Sequence, residues 1–275
     1  MSLDTDVHGK TLKVAGEEIC YYEAGQGSTV VLIHGMFGDF LDWEPVLGPL
    51  ARAHHVIALD LPGFGRSSKP DRDYTGDFFV SILRQFLVAL NVGEAAVIGN
   101  SFGGQMAVLY AVTHPESVAK LVLVDSGGFQ RYTPDEIALT ETRFGEPVIA
   151  GLTPEINSLL FAPVFAQSST MSAQHIDRQN AKLKRSDYAA YARAIARNIH
   201  LSLVTYLLDR LPEVKCPTLL VWGEKDSVLP IAQAEAALAR LANGTLVILP
   251  NCGHMPQLDD AGAFVGAVER FLGPA

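Results

Sequence analysis

The stretch Gly99 Asn100 Ser101 Phe102 Gly103 fits the pattern G-x-S-x-G and constrains the chain more than any other. It joins an apolar run, Ala95 Ala96 Val97 Ile98, to a helical segment carrying Gly104, Met106, Ala107, Leu109, Tyr110 and Ala111. A serine hydroxyl is a poor nucleophile. A sharp, strained turn from strand to helix lifts its oxygen clear of the sheet edge, and the flanking glycines leave room for that turn. A chain holding such a turn is expected to be an α/β protein whose strand ends carry the chemistry.

A strand-then-helix rhythm runs through much of the sequence and predicts parallel strands with helices on both faces. The runs 11–14 and 18–22 flank Ala15 Gly16 Glu17 and read as an antiparallel hairpin at the sheet edge. The runs 30–33, 56–59, 95–98, 121–124, 218–222 and 245–249 follow. They are apolar throughout rather than alternating, as strands covered on both faces should be. A last helix over 259–272 puts Phe264, Val268 and Phe271 on one face, as core. Between Phe129 and Leu211 the rhythm stops and the chain turns helical. There Ser186 is the expected N-cap of a helix whose Tyr188, Tyr191, Ile195 and Ile199 recur at intervals of three and four, a stripe best explained by packing onto the body. Arg193 and Arg197 take the opposite face.

A serine nucleophile needs a base and an acid. His254, in Asn251 Cys252 Gly253 His254, follows the run 245–249, and Asp226 follows 218–222. In a parallel sheet those carboxyl ends share one rim, where the imidazole can take the serine proton while the carboxylate fixes its tautomer. Asp125 ends the run 121–124 and offers a second place for the acid. Asp60 is also at a strand end, but its position before Pro62 Gly63 suggests a loop-fixing hydrogen bond.

From about residue 28 onward the chain resembles the α/β-hydrolase superfamily, on the Ser101 elbow, the order serine, acid, histidine, and Ile33 His34 Gly35 Met36 Phe37 Gly38 Asp39. The resemblance implies an oxyanion hole from the backbone N–H groups of Met36 and Phe102, each worth about 3–4 kcal/mol of transition-state stabilisation. It favours Asp226 over Asp125, through Trp222 Gly223 Glu224 Lys225 Asp226, and reads 59–68 as scaffold. It also implies a helical cap over 129–211, after the sixth strand, lying on a core made of 1–128 and 212–275 and excluding water from the site.

The first functional expectation is hydrolysis of carboxylic esters of small to medium acyl chains through an acyl-enzyme, with no cofactor. Carbon–carbon hydrolysis of ring-cleavage (meta-cleavage) products comes second, because the elbow from Gly99 to Gly104 is similar to the one in those enzymes. Two departures oppose it: Gly35 Met36 Phe37 Gly38 stands where they carry a Gly-Gly-Pro-Gly type loop, and Met255 where they carry tryptophan. Acyl transfer to peroxide or an alcohol uses the same intermediate, and a non-catalytic ligand-binding protein on this fold is the reading from another class. Met36, Phe37, Phe102, Tyr191 and Met255 are expected to give an apolar, adaptable pocket, with Phe37, Tyr191 and Met255 against the substrate. The arginines 178, 185, 193 and 197 are the cations able to meet a carboxylate or simply face water.

The formal charge of −9 and the lack of a basic stripe argue against nucleic-acid partners and leave a small-molecule ester as the expected one. Met1 Ser2 Leu3 Asp4 Thr5 Asp6 lacks the pattern of a secretory signal, and no run approaches the ~20 apolar residues of a membrane span. Cys20, Cys216 and Cys252 are scattered, which fits a reducing cytoplasm, and Cys252 reads as a small buried hydrophobe. His8 and the adjacent His54 and His55 show no metal-ligand spacing, so no metal is expected.

Overall fold

Residues 9–273 are described by the computed structural model, so His8 and the acidic start lie outside them. Eight strands form one sheet: β1 Lys10–Val14, β2 Glu17–Ala24, β3 Thr29–Ile33, β4 His55–Leu59, β5 Ala95–Asn100, β6 Val118–Val124, β7 Thr218–Gly223 and β8 Gly244–Leu249. They lie in the order β1-β2-β4-β3-β5-β6-β7-β8. β2 pairs antiparallel with β1 and β4, and every other pairing is parallel. Val14 pairs with Glu17 across a two-residue turn in which Ala15 and Gly16 both have positive φ, the geometry that matches strand twist in a tight hairpin.

Helices α1 Glu44–Leu50, α2 Gly76–Ala89 and α3 Phe102–Thr113 come first; α4 Pro134–Phe144, α5 Glu146–Ala150, α6 Pro154–Phe161, α7 Thr170–Lys182 and α8 Tyr188–Val204 follow β6; α9 Ile231–Leu238, α10 Pro256–Asp259 and α11 Ala261–Leu272 complete the chain. Alternate strand residues enter two separate cores. Val31, Ile33, Ile57, Leu59, Val97, Leu121, Leu123, Leu220 and Trp222 pack against α2, α3 and α9. Val30, Leu32, Val56, Ala58, Ile98, Val122, Val124, Leu219 and Val221 pack against α1 and α11. Burying one such side chain is worth about 1.5–3 kcal/mol, far more than strand propensity, so double-sided burial explains why these runs are apolar without alternation. β8 departs from that expectation. At the open edge of the sheet its Leu246 and Val247 are half-buried and Ile248 is 37% exposed.

Between β6 and β7 the described residues form helices and short 3₁₀ turns and no strand. Tyr191, Ile195 and Ile199 are buried in the first core with Tyr188 against them, as packing of this segment onto the body requires. Ser186 is not the cap of α8. Asp187 occupies that position, and its carboxylate, instead of capping, is held by Arg185 at 2.7 Å and Lys69 at 3.0 Å. The expected last helix is broken into α10 and α11 at Asp260, whose non-helical backbone and bond from Ala263 N–H at 2.8 Å restart it. No helix of the described residues is long and apolar enough to cross a membrane.

Asp60 acts as the expected loop clamp. Its carboxylate accepts the N–H groups of Phe40 and Arg66, each at 2.7 Å, and its carbonyl accepts the Ser67 hydroxyl at 2.6 Å. Burial, reinforced by the Asp39 charge, pushes its carboxyl up to about 7 against those two N–H bonds. A carboxyl raised on folding contributes stability that is fully present below about pH 4, the unfolded value, and is lost as pH rises through about 7. The free-energy advantage of the wild type over Asp60→Asn, measured by urea unfolding, should therefore shrink between those limits. A constant difference would contradict the burial account.

Candidate active site

Ser101 lies between β5 and α3 with φ 53° and ψ −113°, a backbone state costing about 1–3 kcal/mol. It persists because the neighbourhood leaves no alternative. A Cβ on Gly99 would land on the Gly103 carbonyl, and one on Gly103 would land on the Ile33 carbonyl. The Ser101 N–H donates to Val124 O at 2.9 Å, continuing the ladder one residue beyond β5. Asn100 Nδ2 donates to Val124 O at 3.1 Å and His254 O at 3.2 Å, tying the elbow to the histidine loop.

His254 is 7% exposed, and its Nδ1 lies 2.8 Å from Asp226 Oδ2. The other oxygen, Oδ1, accepts from Val228 N–H at 2.7 Å and Leu229 N–H at 2.9 Å, so Asp226 cannot rotate away. Burial disfavours its charge, yet the His254 bond and the Leu229 N–H outweigh this and hold the carboxyl below its ordinary value. Ser101 forms no hydrogen bond to His254 among the described residues, although both line the same cavity, a spacing common before substrate tightens a site.

Asp125 does not compete with Asp226 for the imidazole. It stands behind it, fully buried, with Oδ1 accepting the Gly223 N–H at 2.9 Å. Burial first, and then the Asp226 charge, raise its carboxyl well above the ordinary range. The neutral acid can then donate to Asp226, so one proton serves the pair. Side-chain atoms of Asp125, Asp226 and His254 lie within 4.8 Å of one another, close enough to hold a metal ion in principle. Most of their polar atoms already have partners, Asp125 Oδ1 in Gly223 N–H and Asp226 in Val228 N–H, Leu229 N–H and His254, and of the carboxylate oxygens only Asp125 Oδ2 is left without one, which suits a hydrogen-bond relay better than a metal shell.

Across from the elbow, the loop after β3 presents the Met36 N–H. Neither it nor the Phe102 N–H at the start of α3 has an acceptor among the described residues. His34 is structural: buried and held neutral by that burial, it places Nδ1 2.8 Å from Gly35 O and accepts the Leu61 N–H at 3.1 Å. Phe37 has φ 62°, and its carbonyl accepts both Lys182 Nζ at 2.7 Å and Tyr191 Oη at 3.0 Å.

A cavity of about 650 Å³ is lined by Ser101, His254, Met36, Phe37 and Met255 from the body, and by Arg143, Phe144, Phe161 and His175 from the helical segment. Two expected pocket residues are elsewhere. The Tyr191 ring is buried beneath Phe37 and only its hydroxyl reaches that loop, while the Phe102 ring packs between Phe64 and Phe79, so only its N–H faces the site. None of the four arginines singled out from the sequence lines the cavity. Arg178 pairs with Glu44, Arg185 with Asp187, and Arg193 and Arg197 with Asp71. Three of the polar residues that do line it, Arg143, His175 and Asp42, carried no pattern in the sequence that sets them apart from their neighbours. Arg143 is exposed and has no ion-pair partner among the described residues. Cys252 is buried in the second core, and burial pushes its thiol up to about 12, which leaves it inert.

A family model described as alpha/beta hydrolase fold matches residues 28–261. A 2-hydroxy-6-oxononadienedioate/2-hydroxy-6-oxononatrienedioate hydrolase of Escherichia coli O81 (strain ED1a) is 31% identical over 285 residues, covering 99% of this chain and 95% of its own. A 2-hydroxy-6-oxo-6-(2'-aminophenyl)hexa-2,4-dienoic acid hydrolase of Metapseudomonas resinovorans is 30% identical over 266 residues, covering 95% and 89%. Among solved structures, that of a membrane phospholipase A described as a bacterial virulence factor superposes with a TM-score of 0.82 at 32% identity, over 96% of this chain and 85% of that one.

The two acids are separable by substitution. Asp226→Asn should lower kcat by about 10⁴, because the amide stabilises the wrong imidazole tautomer. Asp125→Asn should cost less than tenfold, because an amide mimics the neutral acid, accepting from Gly223 and donating to Asp226. Steady-state kinetics on one substrate decides it, and the reverse ranking would make Asp125 the partner of His254.

Proposed function

The chain belongs to the α/β-hydrolase fold family, and from that premise we propose that it is a serine hydrolase of ring-cleavage products, breaking a carbon–carbon bond next to the ketone of a vinylogous 1,5-diketone acid. This promotes the reading that the motifs alone rank second. The observation that carries it is the pair of relatives, 30–31% identical over nearly their full lengths, whose names describe such substrates. Arg143 supports it, since an unpaired guanidinium at a cavity wall suits a substrate carboxylate.

In this reading Ser101 is the nucleophile, His254 the base and Asp226 its orienting acid. His254 takes the Ser101 proton as Oγ bonds to the ketone carbon. The N–H groups of Met36 and Phe102 hold the oxyanion. Collapse of that intermediate breaks the bond to the neighbouring carbon, whose electron pair spreads into the conjugated acid and is then protonated by the imidazolium. Water, deprotonated by His254, attacks the acyl-enzyme and releases the second acid together with Ser101. Residues 129–211 serve as the cap that excludes bulk water from these steps.

Ester hydrolysis is the second reading. Met36 and Met255 depart from the pattern of the carbon–carbon hydrolases, and the phospholipase A likeness at 32% identity supports it. It uses the same steps with an alcohol as leaving group. A side-by-side assay separates the two: loss of the visible absorbance of a dienone ring-fission product against release of p-nitrophenol from its butyrate ester. The expectation is a kcat/KM at least about tenfold higher for the dienone, with Arg143→Leu raising KM for it; the opposite ratio would install the ester reading. Ser101→Ala should abolish labelling by a fluorophosphonate and reduce turnover by several orders of magnitude. Persistent labelling would remove Ser101 from its role.

A further inference from the structure

The two edges of the sheet are built differently. β1, at one end, is Lys10 Thr11 Leu12 Lys13 Val14, and both of its lysines are exposed. Lysine on an edge strand acts as a guard, because a further strand can approach only by burying the ammonium. β8, at the other end, reads Gly244 Thr245 Leu246 Val247 Ile248 Leu249, without a charge, a proline or a break in register. Among the described residues no strand lies beyond it.

The ladder to β7 fixes which groups of β8 are free. Thr218 N–H reaches Asn243 O and Glu224 N–H reaches Leu249 O, each at 2.9 Å, with the parallel register unbroken between them. In a parallel strand the N–H and C=O of one residue point to the same side, and that side alternates along the chain. Thr245, Val247 and Leu249 therefore face β7, and Gly244, Leu246 and Ile248 turn their backbone groups outward. Among the described residues no other backbone group takes these up. Ile248, 37% exposed, adds its side chain to the edge.

Such a row of donors and acceptors is complementary to itself. When two copies of β8 are set antiparallel with Leu246 facing Leu246, Ile248 falls opposite Gly244, and every outward N–H and C=O in the strand finds a partner. A slip of two residues either way leaves one end of each strand unpaired. Across the seam the branched side chain of Ile248 needs room, which a second copy brings in Gly244 and an unrelated strand would have to supply by chance. We propose that β8 is a dimer seam, at which two copies of this chain join their sheets into one by antiparallel pairing about a two-fold axis at Leu246. The inference is independent of which bond the enzyme breaks.

Sedimentation velocity of the full chain from about 0.1 to 100 µM reads the association by mass action. The wild type should move from 29.6 kDa toward twice that mass across the range, or hold the doubled mass throughout. Ile248→Pro removes an outward N–H that the β7 ladder does not use, and Ile248→Lys gives this edge the guard that β1 has. Each should weaken the dimer by about tenfold or more. A bismaleimide of about 8 Å reach then reads the register, because the two Leu246 positions stand about 5.5 Å apart across the seam and the two Ile248 positions about 14 Å. Leu246→Cys should be linked into a dimer, and Ile248→Cys should not exceed the wild type, whose half-buried Cys216 sets the background. A wild type that stays at 29.6 kDa over the whole range overturns the seam. So does a dimer that both Ile248 variants leave intact, or one in which Leu246→Cys fails to link.

Discussion

Backbone hydrogen bonding that carries on past the strand ends determines where the chemistry-bearing residues sit. Ser101 N–H reaches Val124 O at 2.9 Å, Asp125 N–H reaches Val221 O at 3.0 Å, and Glu224 N–H reaches Leu249 O at 2.9 Å. Each bond is worth about 1 kcal/mol net, small beside the burial of the sheet. Their importance is geometric, because they carry the parallel register into the loops. The elbow, the Asp226 loop and the His254 loop therefore start from adjacent rungs of one ladder. Asn100, bonded to both Val124 and His254, then draws the first and last of them together.

Electrostatics follows from that placement. The rim holds two carboxyls, Asp125 and Asp226, in a space too dry for both to ionise, and the asymmetry of their partners decides which one keeps the charge. Asp226 has a histidine and two backbone N–H donors, whereas Asp125 has one N–H donor and a neighbouring anion. The same logic recurs at Asp60 and Asp39 on the neighbouring loops. There Lys182, 2.9 Å from Asp39, keeps that carboxyl ionised, and the Asp39 charge helps to raise Asp60.

Sequence was most informative where local and global requirements agree. All eight strands were legible, six as short apolar runs closed by turn residues and β1 and β2 through the hairpin turn between them, and the Ser101 elbow through the glycines that flank it. His254 and Asp226 were legible as strand-end residues, although choosing Asp226 over Asp125 took a resemblance in place of a physical argument. In the structure it is Asp226 that lies 2.8 Å from His254 Nδ1, with the Val228 and Leu229 N–H groups on its other oxygen. The pocket was poorly legible. Tyr191 and Phe102 have the right chemistry but point into the body, and Arg143 reaches the cavity only through the tertiary placement of α4. His175 looked like any histidine on an amphipathic helix, since its partner Asp42 lies far away in the chain. Ser186 had the right type for an N-cap and lost to Asp187, whose carboxylate serves Lys69 and Arg185 instead.

The carbonyl of Phe37 joins two parts of the molecule that a lid is usually imagined to keep separate. Lys182 and Tyr191, from α7 and α8, both donate to it, and it belongs to the loop that presents the Met36 N–H. Raising those helices would strand an ammonium, a phenol and a carbonyl, each at about 1–3 kcal/mol when left buried and unpaired. The two bonds therefore tie the pose of α7 and α8 to the backbone of the loop that carries the Met36 N–H. One carbonyl thus makes a single mechanical unit of a helical segment and a strand-end loop that are about 145 residues apart in the chain.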